Sequence, residues 1–381
     1  MFDQHDHRDL QELIRLRRWL HQHPELSMQE FETSRFIREY LNSVGITNRI
    51  VGKTGLIADL RVDEALPTIA IRSEIDALPV SEQTGLACTS IYPGKMHACG
   101  HDAITAVALV LARRLASRRS ELKCNVRFVF EPGEETGSGA QYMIANGALD
   151  NPKPDGILVF HFGNQQARSM EIQRSISTAK IGRLRIQVKG KASHWSQRTD
   201  GIDAMYAAAR LVVAIQDINA SFATQRPFVL GFGLLHAGKS GNILAEEAEL
   251  CGSLRAFTDP DFESVLQELN ERIRQIEQET GAVVSLELSK VTPPIVNAPA
   301  LVERGKAIGA ELFGESFFLG DKPFLVGDNA AYYMEQVPGM RVVFLAEKEG
   351  ETAYPVHNPK FDIDEGILLD ALKFLESFIL A

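Results

Sequence analysis

Hydrophobic and polar positions change period several times in the first 180 residues. Apolar residues recur at helical spacing near the beginning, which predicts one amphipathic helix that Pro24 stops and a second over about 29–42. Short apolar runs then alternate with longer helical stretches. The runs predict strands at 56–60, 68–72, 126–130 and 157–160, and the stretches predict helices at 102–118 and 139–146. Strands alternating with helices favour an α/β layer with a mainly parallel sheet.

The segment 181–291 has a different pattern, with two helices among four strands. Its apolar positions predict strands at 181–189, 228–235, 248–257 and 283–288, and helices at 202–218 and 259–281. The second helix has the strongest end signals, with Asp259 as the N-cap, Pro260 at the first helical position and Gly281 beyond the last. The order β-α-β-β-α-β is that of a ferredoxin-like split motif.

Helices and a strand resume after residue 292. The pattern predicts helices at 301–313, 330–336 and 365–379 and a strand at 341–346. The sequence therefore predicts a two-layer α/β domain, formed by 1–180 and 292–381, that is interrupted by an inserted ferredoxin-like α+β domain at 181–291. The first seven residues are polar and are predicted to be frayed.

Composition narrows the classes of protein that this pattern could represent. The 381 residues are 45% hydrophobic and 24% charged, which excludes a disordered chain, a collagen-like repeat and a coiled coil. The net charge of −10 argues against nucleic-acid binding, because phosphate contacts need a basic surface. No apolar stretch approaches the roughly 18 residues of a membrane span, and a signal-peptide pattern is lacking at the start. We therefore expect a cytoplasmic protein that binds neither nucleic acid nor membranes.

The four cysteines, Cys88, Cys99, Cys124 and Cys251, form no CxxC pair and have no regular spacing. This excludes a zinc ribbon and argues against a disulfide scaffold. The simplest interpretation of each cysteine, before its neighbours are considered, is a small buried apolar side chain.

Acidic, histidine and cysteine residues follow the predicted strands of the α/β pattern. In an open α/β sheet, ligands bind beyond the carboxyl ends of the strands. Such residues occur there in RSEID (72–76), EPGEE (131–135), His161, the loop HACGHD (97–102) and the late loop YPVHNP (354–359). Potential ligands therefore recur where the sheet is expected to present its binding site.

Cys99 and His101 are separated by one glycine. In a loop both side chains can reach one ion, whereas a helix would turn them about 200° apart. Each candidate also has a plain structural interpretation. The alternatives are a buried thiol (Cys99), a helix cap (His101), a solvated turn (Glu134-Glu135), a core histidine (His161) and an exposed loop (His357). All of these alternative interpretations would have to be true at once, for residues that lie at one edge of the sheet. This coincidence favours a shared site.

The candidates comprise one thiolate, three imidazoles and one carboxylate, with a second carboxylate to spare. This set suits divalent zinc, manganese, cobalt or nickel and does not suit calcium or magnesium. Five donors exceed what one tetrahedral catalytic ion with a bound water needs, so they predict a two-metal site bridged by a thiolate or a water. The spare carboxylate, Glu134, is expected to be the general base, which takes a proton from activated water and protonates a leaving amine.

Nearly the whole chain carries a series of motifs in a fixed order. They are LHQHPELSMQEFETSRFI, TGLIADL, RSEIDALPV, MHACGHDAITA, EPGEETGSGA, FHF, GKASHW, GNILAEEAELCGSLRA and a late His-Asn-Pro. With them, the sequence resembles the zinc-dependent aminoacylase and carboxypeptidase superfamily, and within it the N-acyl-amino-acid amidohydrolase and auxin-conjugate-hydrolase branch. HACGHD is the most specific of these motifs.

The resemblance implies a catalytic α/β domain that binds two metal ions and a smaller lid domain that often dimerises, so we expect a homodimer through the lid. By motif, the implied base is Glu134 and the implied metal ligands are Cys99, His101, Glu135, His161 and His357. In the lid, His194 resembles the histidine that polarises the scissile carbonyl, sometimes from the partner subunit. Asn242 and Arg255 match lid positions that hold the substrate carboxylate. The alternatives are an ordinary loop histidine for His194 and a surface salt bridge for Arg255.

Three positions depart from the usual motifs of the branch. Ile104 stands where a second histidine is usual, Ser73-Glu74 where Ala-Asp is usual, and Gly327-Asp328-Asn329 where Glu-Asp-Phe is usual. The implied ligands and base are all present, so we expect hydrolysis to be retained. The altered positions predict a changed substrate preference, with poor activity on standard N-acetyl amino acids.

The main hypothesis is a binuclear metal amidohydrolase that cleaves the amide bond of N-acyl amino acids or related small conjugates. Two zinc or manganese ions per subunit are expected, with nickel or cobalt as alternatives. A dipeptidase or carboxypeptidase of the same superfamily is an alternative activity. Two further hypotheses change the chemistry: Cys99 as a nucleophile paired with His101 or His161, or a metal-containing protein that binds a conjugate without turnover.

Overall fold

The computed structural model describes residues 4–348 and 350–381. The chain divides into two compact units. The first contains the chain up to Ser177 together with Val296–Lys322 and Asn329–Ala381, and the second contains Thr178–Ile295 and Pro323–Asp328.

The first unit is built on a mixed sheet. In chain order, the strands of the two units are β1 (Thr47–Val51), β2 (Gly55–Leu60), β3 (Thr68–Glu74), β4 (Asn125–Glu131), β5 (Gly156–Gly163), β6 (Ser169–Gln173), β7 (Lys180–Lys189), β8 (Val229–Ala237), β9 (Glu247–Ala256), β10 (Val283–Thr292), β11 (Phe317–Gly320) and β12 (Gly339–Leu345). The sheet of the first unit has the order β1-β2-β4-β3-β5-β12-β6-β11. Its central strands β4, β3, β5 and β12 pair in parallel, and antiparallel pairs join β1 to β2, β2 to β4 and β12 to β6. The α/β fold class is confirmed, with a parallel centre.

Helices complete both units. They are α1 (Gln4–Gln22), α2 (Phe31–Ser43), α3 (His101–Ser117), α4 (Gly139–Ala145), α5 (Ala204–Ser221), α6 (Asp259–Thr280), α7 (Pro299–Phe313), α8 (Ala331–Met334) and α9 (Ile367–Leu380). In the first unit α1 and α9 pack against α3, which is rich in alanine and leucine and buried along most of its length. The central strands are also buried, as their continuous apolar runs require. None of the helices in the described part of the chain has the length and apolar character that a membrane span requires.

The second unit contains a four-stranded antiparallel sheet in the order β10-β7-β9-β8. Side chains alternate between buried and exposed along β7, so one face of the sheet is buried. Ile186 of β7, Leu211 of α5 and Leu269 of α6 belong to one apolar core. The element order and the antiparallel sheet confirm the ferredoxin-like α+β prediction. Pro323–Asp328 joins this unit through a hydrogen bond from Ala179 N to Val326 O at 2.9 Å.

The beginning of α6 differs from the prediction. Thr258, and not Asp259, is the N-cap, because its side chain accepts a hydrogen bond from Asp261 N at 3.2 Å. Gly281 ends the helix with φ 73°, the left-handed conformation that glycine adopts at low cost.

The first helix also differs from the prediction. It begins at Gln4, so the predicted fraying is wrong for residues 4–7, whereas residues 1–3 lie outside the described residues. Asp6 pairs with Lys373 Nζ at 2.6 Å, which holds the first turn of α1 against α9. The sequence pattern does not predict β1, β6 and β11, which are four or five residues long and too short to show a period.

All four cysteine thiols are free. Cys99 and Cys124 are buried, but Cys88 and Cys251 are only half-buried, so the expectation of buried side chains is wrong for those two. Cys251 follows Leu250 on β9, and successive side chains on a strand point to opposite faces. Because Leu250 lies in the core, Cys251 lies on the open face of the sheet.

Candidate metal centre

The candidate residues of the first unit come from loops and strand ends. Asp76 follows β3, Glu134 and Glu135 follow β4, His161 is near the end of β5, Cys99 and His101 border the start of α3, and His357 lies between β12 and α9. These positions belong to the carboxyl edge of the parallel centre, where open α/β sheets bind ligands.

Gly100 allows Cys99 and His101 to face one centre. It is the N-cap of α3 and has φ 80°, a conformation that residues with a side chain rarely adopt. The chain turns sharply there, and His101 becomes the first residue of the helix. As a result, Cys99 Sγ lies 3.6 Å from His161 Nε2, and the rings of His101 and His161 are 6.0 Å apart and nearly perpendicular.

Three groups of potential ligand atoms form at this edge, and within each group the atoms lie within 4.8 Å of one another. The groups are Cys99 with His101 and His161, Cys99 with Glu135 and His357, and His101 with Glu134 and Glu135. The structure thus brings together the five residues predicted as ligands and the one predicted as base. Cys99, His101 and Glu135 each belong to two of the groups, and a bridging thiolate is compatible with this arrangement.

The polar atoms of this cluster fit divalent metal ions. His101 Nδ1 lies 2.9 Å from the backbone oxygen of Asp76, and His161 Nδ1 lies 2.7 Å from that of Phe162. Donation from Nδ1 leaves Nε2 as the ligand atom in each ring. Among the described residues, nothing hydrogen-bonds to His101 Nε2 or Glu135 Oε1, although both atoms are buried. Burying such atoms without a partner is costly, and a cation would satisfy both.

A comparison with known families agrees with this donor set. The model of peptidase family M20/M25/M40 matches residues 70–381, which is more than half of the chain. The chain belongs to this peptidase family.

Relatives and solved structures resemble this chain along nearly its whole length. N-acetyl-L-cysteine deacetylase of Bacillus subtilis is 32% identical over 371 residues, which cover 96% of this chain and 86% of the relative. N-acetyldiaminopimelate deacetylase of Streptococcus uberis is 30% identical, with 97% of this chain and 98% of the relative covered. The crystal structure of the YXEP protein of Bacillus subtilis, described as a dinuclear metal binding peptidase of the M20 family, is 31% identical. It has a TM-score of 0.84, and 98% of each chain is covered.

Asp76 is a residue of this centre that the sequence reasoning did not assign. Its Oδ1 lies 3.4 Å from His101 Nδ1, and its Oδ2 accepts a hydrogen bond from Glu135 N at 3.0 Å. Burial opposes ionisation of Asp76, but the hydrogen bond with His101 holds its pKa below the ordinary value. A carboxylate beside the second nitrogen of a ligand histidine fixes the ring and its tautomer. The feature of the sequence that could have identified Asp76 is its position directly after β3.

Cys99 is poorly suited to be a nucleophile on its own. Burial, and then the nearby Glu135 carboxylate, raise the pKa of the Cys99 thiol well above its ordinary value. The reactive form of cysteine is the thiolate, and reactive cysteines lie in electropositive, partly exposed surroundings. A divalent cation would deprotonate this thiol on binding. The buried surroundings of the thiol therefore favour Cys99 as a ligand over the alternative of a thiol nucleophile.

His357 is the exposed member of the cluster. Its backbone has φ 69°, and its amide donates to Ala98 O at 2.7 Å, which fixes the loop beside Cys99. Its Nε2 lies 3.4 Å from Glu135 Oε2, and about half of its side chain is exposed. Solvent therefore reaches the cluster on the side of His357.

Residues of all three departures, Glu74, Ile104 and Asn329, lie in two places of the first unit, whereas Gly327 and Asp328 belong to the second. The buried guanidinium of Arg72 donates to Glu131 Oε2 at 2.8 Å and to Asn329 Oδ1 at 2.6 Å, and it also pairs with Glu74. Two departures, Glu74 and Asn329, therefore meet at one buried arginine, which needs such partners. Ile104 lies fully buried in the apolar core.

The residues predicted for the lid belong to the second unit and fall into two places. His194 pairs with Ile243 in a β-bridge, and Trp195 N donates to Asn242 O at 3.4 Å, so His194 and Asn242 are neighbours. Both precede β9, whereas Arg255 is near its end, about 26 Å along the strand from the first residue of β9. Arg255 Nη1 donates to Leu325 O at 2.7 Å. The roles implied for these three residues stay predictions.

A buried ionic network lies directly behind the first turn of α3. His21 Nδ1 lies 2.8 Å from Asp102 Oδ2 and its Nε2 lies 3.2 Å from Glu82 Oε1, while Arg17 Nε lies 3.3 Å from Asp102 Oδ2. Burial alone would lower the pKa of His21, but the hydrogen bonds to Asp102 and Glu82 raise it to about 9. His21 is therefore expected to carry a charge at neutral pH and to tie α1 to α3.

Replacing His21 with asparagine is expected to change how stability depends on pH. A folded-state pKa raised from 6.5 to about 9 gives stability that is fully present below pH 6.5 and lost as the pH rises through 9. The difference in free energy of unfolding between wild type and variant should shrink by roughly 3 kcal/mol over that range. Urea unfolding at several pH values measures it. The control is His23→Asn, because His23 Nδ1 bonds to the backbone oxygen of Trp19. A difference in free energy of unfolding between wild type and His21→Asn that does not change with pH would contradict the charge assigned to His21.

Proposed function

We propose that this protein is a metal-dependent amidohydrolase that removes the acyl group from N-acyl amino acids or related small conjugates. One observation carries this proposal: donor groups that share Cys99 lie beside a glutamate, Glu134, at the ligand-binding edge of the sheet. Deacetylases of N-acetyl-L-cysteine and of N-acetyldiaminopimelate are similar to this chain over nearly its whole length, which supports the substrate class.

The residues of the first unit divide the work of hydrolysis. Cys99, His101, Glu135, His161 and His357 would hold two divalent ions. When bound, such ions polarise a carbonyl group and lower the pKa of water. The Glu134 carboxylate accepts a proton from the attacking water and returns it to the nitrogen of the leaving amine. Asp76 keeps the His101 ring in position throughout, because it holds the nitrogen that faces away from the donors.

The donor chemistry also supports a choice of metal. A thiolate with three imidazoles and a carboxylate suits zinc and manganese, and these are the ions that we propose. The homodimer expected from the resemblance stays a prediction, which the mass of the protein in solution tests.

Removal and return of metal is expected to switch turnover off and on. A strong chelator should abolish amide hydrolysis, and Zn²⁺ or Mn²⁺ should restore it, because ions held by these residues would lower the pKa of water and polarise the carbonyl. The measurement is release of free amine from a panel of N-acyl amino acids, including N-acetylcysteine and N-acetyldiaminopimelate, and of dipeptides. Dipeptide hydrolysis that exceeds hydrolysis of every acyl amino acid would favour the peptidase alternative.

Two other outcomes of the same experiment would contradict the proposal. Turnover that is indifferent to chelator but lost on treatment with iodoacetamide would favour Cys99 as a nucleophile. Measurable affinity for acyl amino acids without release of amine, in protein that contains its full complement of metal, would favour a binding protein.

A further inference from the structure

One motif of the sequence has no role in the proposed hydrolysis. It is LHQHPELSMQEFETSRFI, which spans the end of α1 and the first turns of α2. Between the two helices lies a short stretch, Glu25–Glu30, which we call the connecting segment. The segment is anchored beside β3, because Ala77 N donates to Glu25 O at 2.8 Å and Leu26 forms a β-bridge with Ala77.

The connecting segment contacts Asp76 through Ser27. Ser27 Oγ donates to Asp76 Oδ2 at 2.7 Å, and the same oxygen accepts the hydrogen bond from Glu135 N. The other oxygen of Asp76 lies beside His101 Nδ1. Ser27 is thus one bond away from the carboxylate that orients two of the candidate ligands.

Glu30 makes a second contact, to the turn that carries Glu134 and Glu135. Its Oε1 accepts hydrogen bonds from Gly133 N at 2.9 Å and from Met28 N at 2.7 Å. Its Oε2 accepts one from Thr54 Oγ1 at 2.7 Å. Glu30 is fully buried, and so is Thr54. A buried carboxylate with three donors is held in a fixed position, and it holds the Gly133 amide in turn.

The turn and the connecting segment approach each other closely at position 133, where the backbone conformation favours glycine. Gly133 has φ 67°, and a Cβ placed on it would come within 2.6 Å of Met28 Sδ. Met28 itself has φ 64°, an uncommon conformation for a residue with a side chain. Both conformations are stabilised by the oxygen that they share, Glu30 Oε1. Strained backbone of this kind persists where the surrounding structure fixes it.

We propose that two side chains of the connecting segment position the metal centre: Ser27 orients Asp76, and Glu30 fixes the turn that carries Glu134 and Glu135. Neither side chain is a ligand or a catalytic residue. The inference rests on the proposed function, because it assigns these residues to the same centre. It assigns the first motif of the chain a structural role in the proposed hydrolysis.

Hydrogen-bond geometry, and not charge, is the property of Glu30 that matters here. Burial raises the pKa of Glu30 to about 7, so the carboxyl group is partly neutral near neutral pH. A glutamine has the same shape. Its oxygen accepts from the Gly133 and Met28 amides, and its amino group donates to Thr54 Oγ1, which can act as an acceptor. A leucine removes all three hydrogen bonds and leaves the donors unpaired.

The test compares Glu30→Leu with Glu30→Gln by metal affinity, measured in competition with a chromophoric zinc chelator. Glu30→Leu should bind Zn²⁺ about 10–100-fold more weakly, as is usual when a partner of the ligand shell is lost, and its kcat should fall. Glu30→Gln should stay within a few-fold of wild type in both. Wild-type affinity in Glu30→Leu, or equal impairment in the two variants, would overturn the proposal.

A matched control separates positioning from general destabilisation. Glu25 lies in the same segment, and its Oε2 accepts from Thr33 N at 2.8 Å, which supports α2 and not the turn. Glu25→Leu should lower the melting temperature but leave Zn²⁺ affinity unchanged, and an equal loss of affinity would overturn the proposal.

A milder variant covers the case in which Glu30→Leu does not fold. Ser27→Ala removes one hydrogen bond and is expected to weaken Zn²⁺ binding about tenfold. Unchanged binding in Ser27→Ala would remove Ser27 from the proposal. Zn²⁺ affinity is measured without substrate. An inactive wild-type protein would therefore refute the proposed function, whereas the test of positioning by Zn²⁺ affinity would remain valid.

Discussion

Alanine in place of Glu134 is expected to lower kcat by about 10²–10⁴-fold while the metal ions remain bound, which is the effect of removing a general base. Glu134 lies with His101 and Glu135 in one donor group, within 4.8 Å. In the proposed mechanism the Glu134 carboxylate shuttles a proton, and the other members of its group, His101 and Glu135, are assigned as metal ligands and do not replace it. The measurements are kcat on the best substrate of the panel and the ratio of metal to protein.

The neighbouring glutamate is a matched control for this prediction. Glu135 is in two donor groups, and its buried Oε1 forms no hydrogen bond among the described residues. Glu135→Ala should therefore lose activity together with metal, and added Zn²⁺ at high concentration should restore part of both. If Glu134→Ala loses metal as readily as Glu135→Ala, then Glu134 is a ligand and its assignment as base is wrong.

Cys99→Ala is expected to reduce the bound metal from two ions to less than one and to abolish turnover. Cys99 is common to the group with His101 and His161 and to the group with Glu135 and His357, so its loss damages both sites. His357→Ala should lose only one ion, because His357 belongs to one group and is exposed. The ratio of metal to protein after dialysis against buffer with limiting Zn²⁺ checks both values.

A buried cysteine outside the centre provides the control for Cys99→Ala. Cys124 Sγ lies 3.7 Å from Ile379 O and contributes to the apolar core, so Cys124→Ala should lower stability and leave metal content unchanged. Two ions retained by Cys99→Ala would exclude a bridging thiolate.

The fold class could be predicted from the sequence, and the metal-ligand candidates proposed, because strong local sequence patterns mark both. Continuous apolar runs mark the parallel central strands, and polar residues directly after such runs fall at one edge of the sheet. Short strands such as β11, with four residues, carry no period and were missed. The N-cap of α6 was misplaced by one residue because Thr258, Asp259 and Asp261 are all suitable cap residues and only geometry selects among them.

Tertiary contacts decide the rest of the site. Asp76 could not be paired with His101 from the sequence, since the contact depends on how the loop after β3 meets the start of α3. The same applies to Glu30, which reaches Gly133 from 103 positions away. The roles of His194, Asn242 and Arg255 rest on resemblance alone, because the geometry of the second unit does not decide them.

The position of β12 has a consequence for synthesis on the ribosome. β12 pairs with β5 on one side and β6 on the other, although about 165 residues separate it from β6 along the chain. The nascent chain thus carries a gap in its sheet until the last tenth of the protein emerges. Cys99, His101 and His161 have been translated long before then, whereas His357 follows β12. Under the ligand assignment, the group of Cys99, His101 and His161 is therefore synthesised before the sheet can close, whereas a group that includes His357 can form only afterwards.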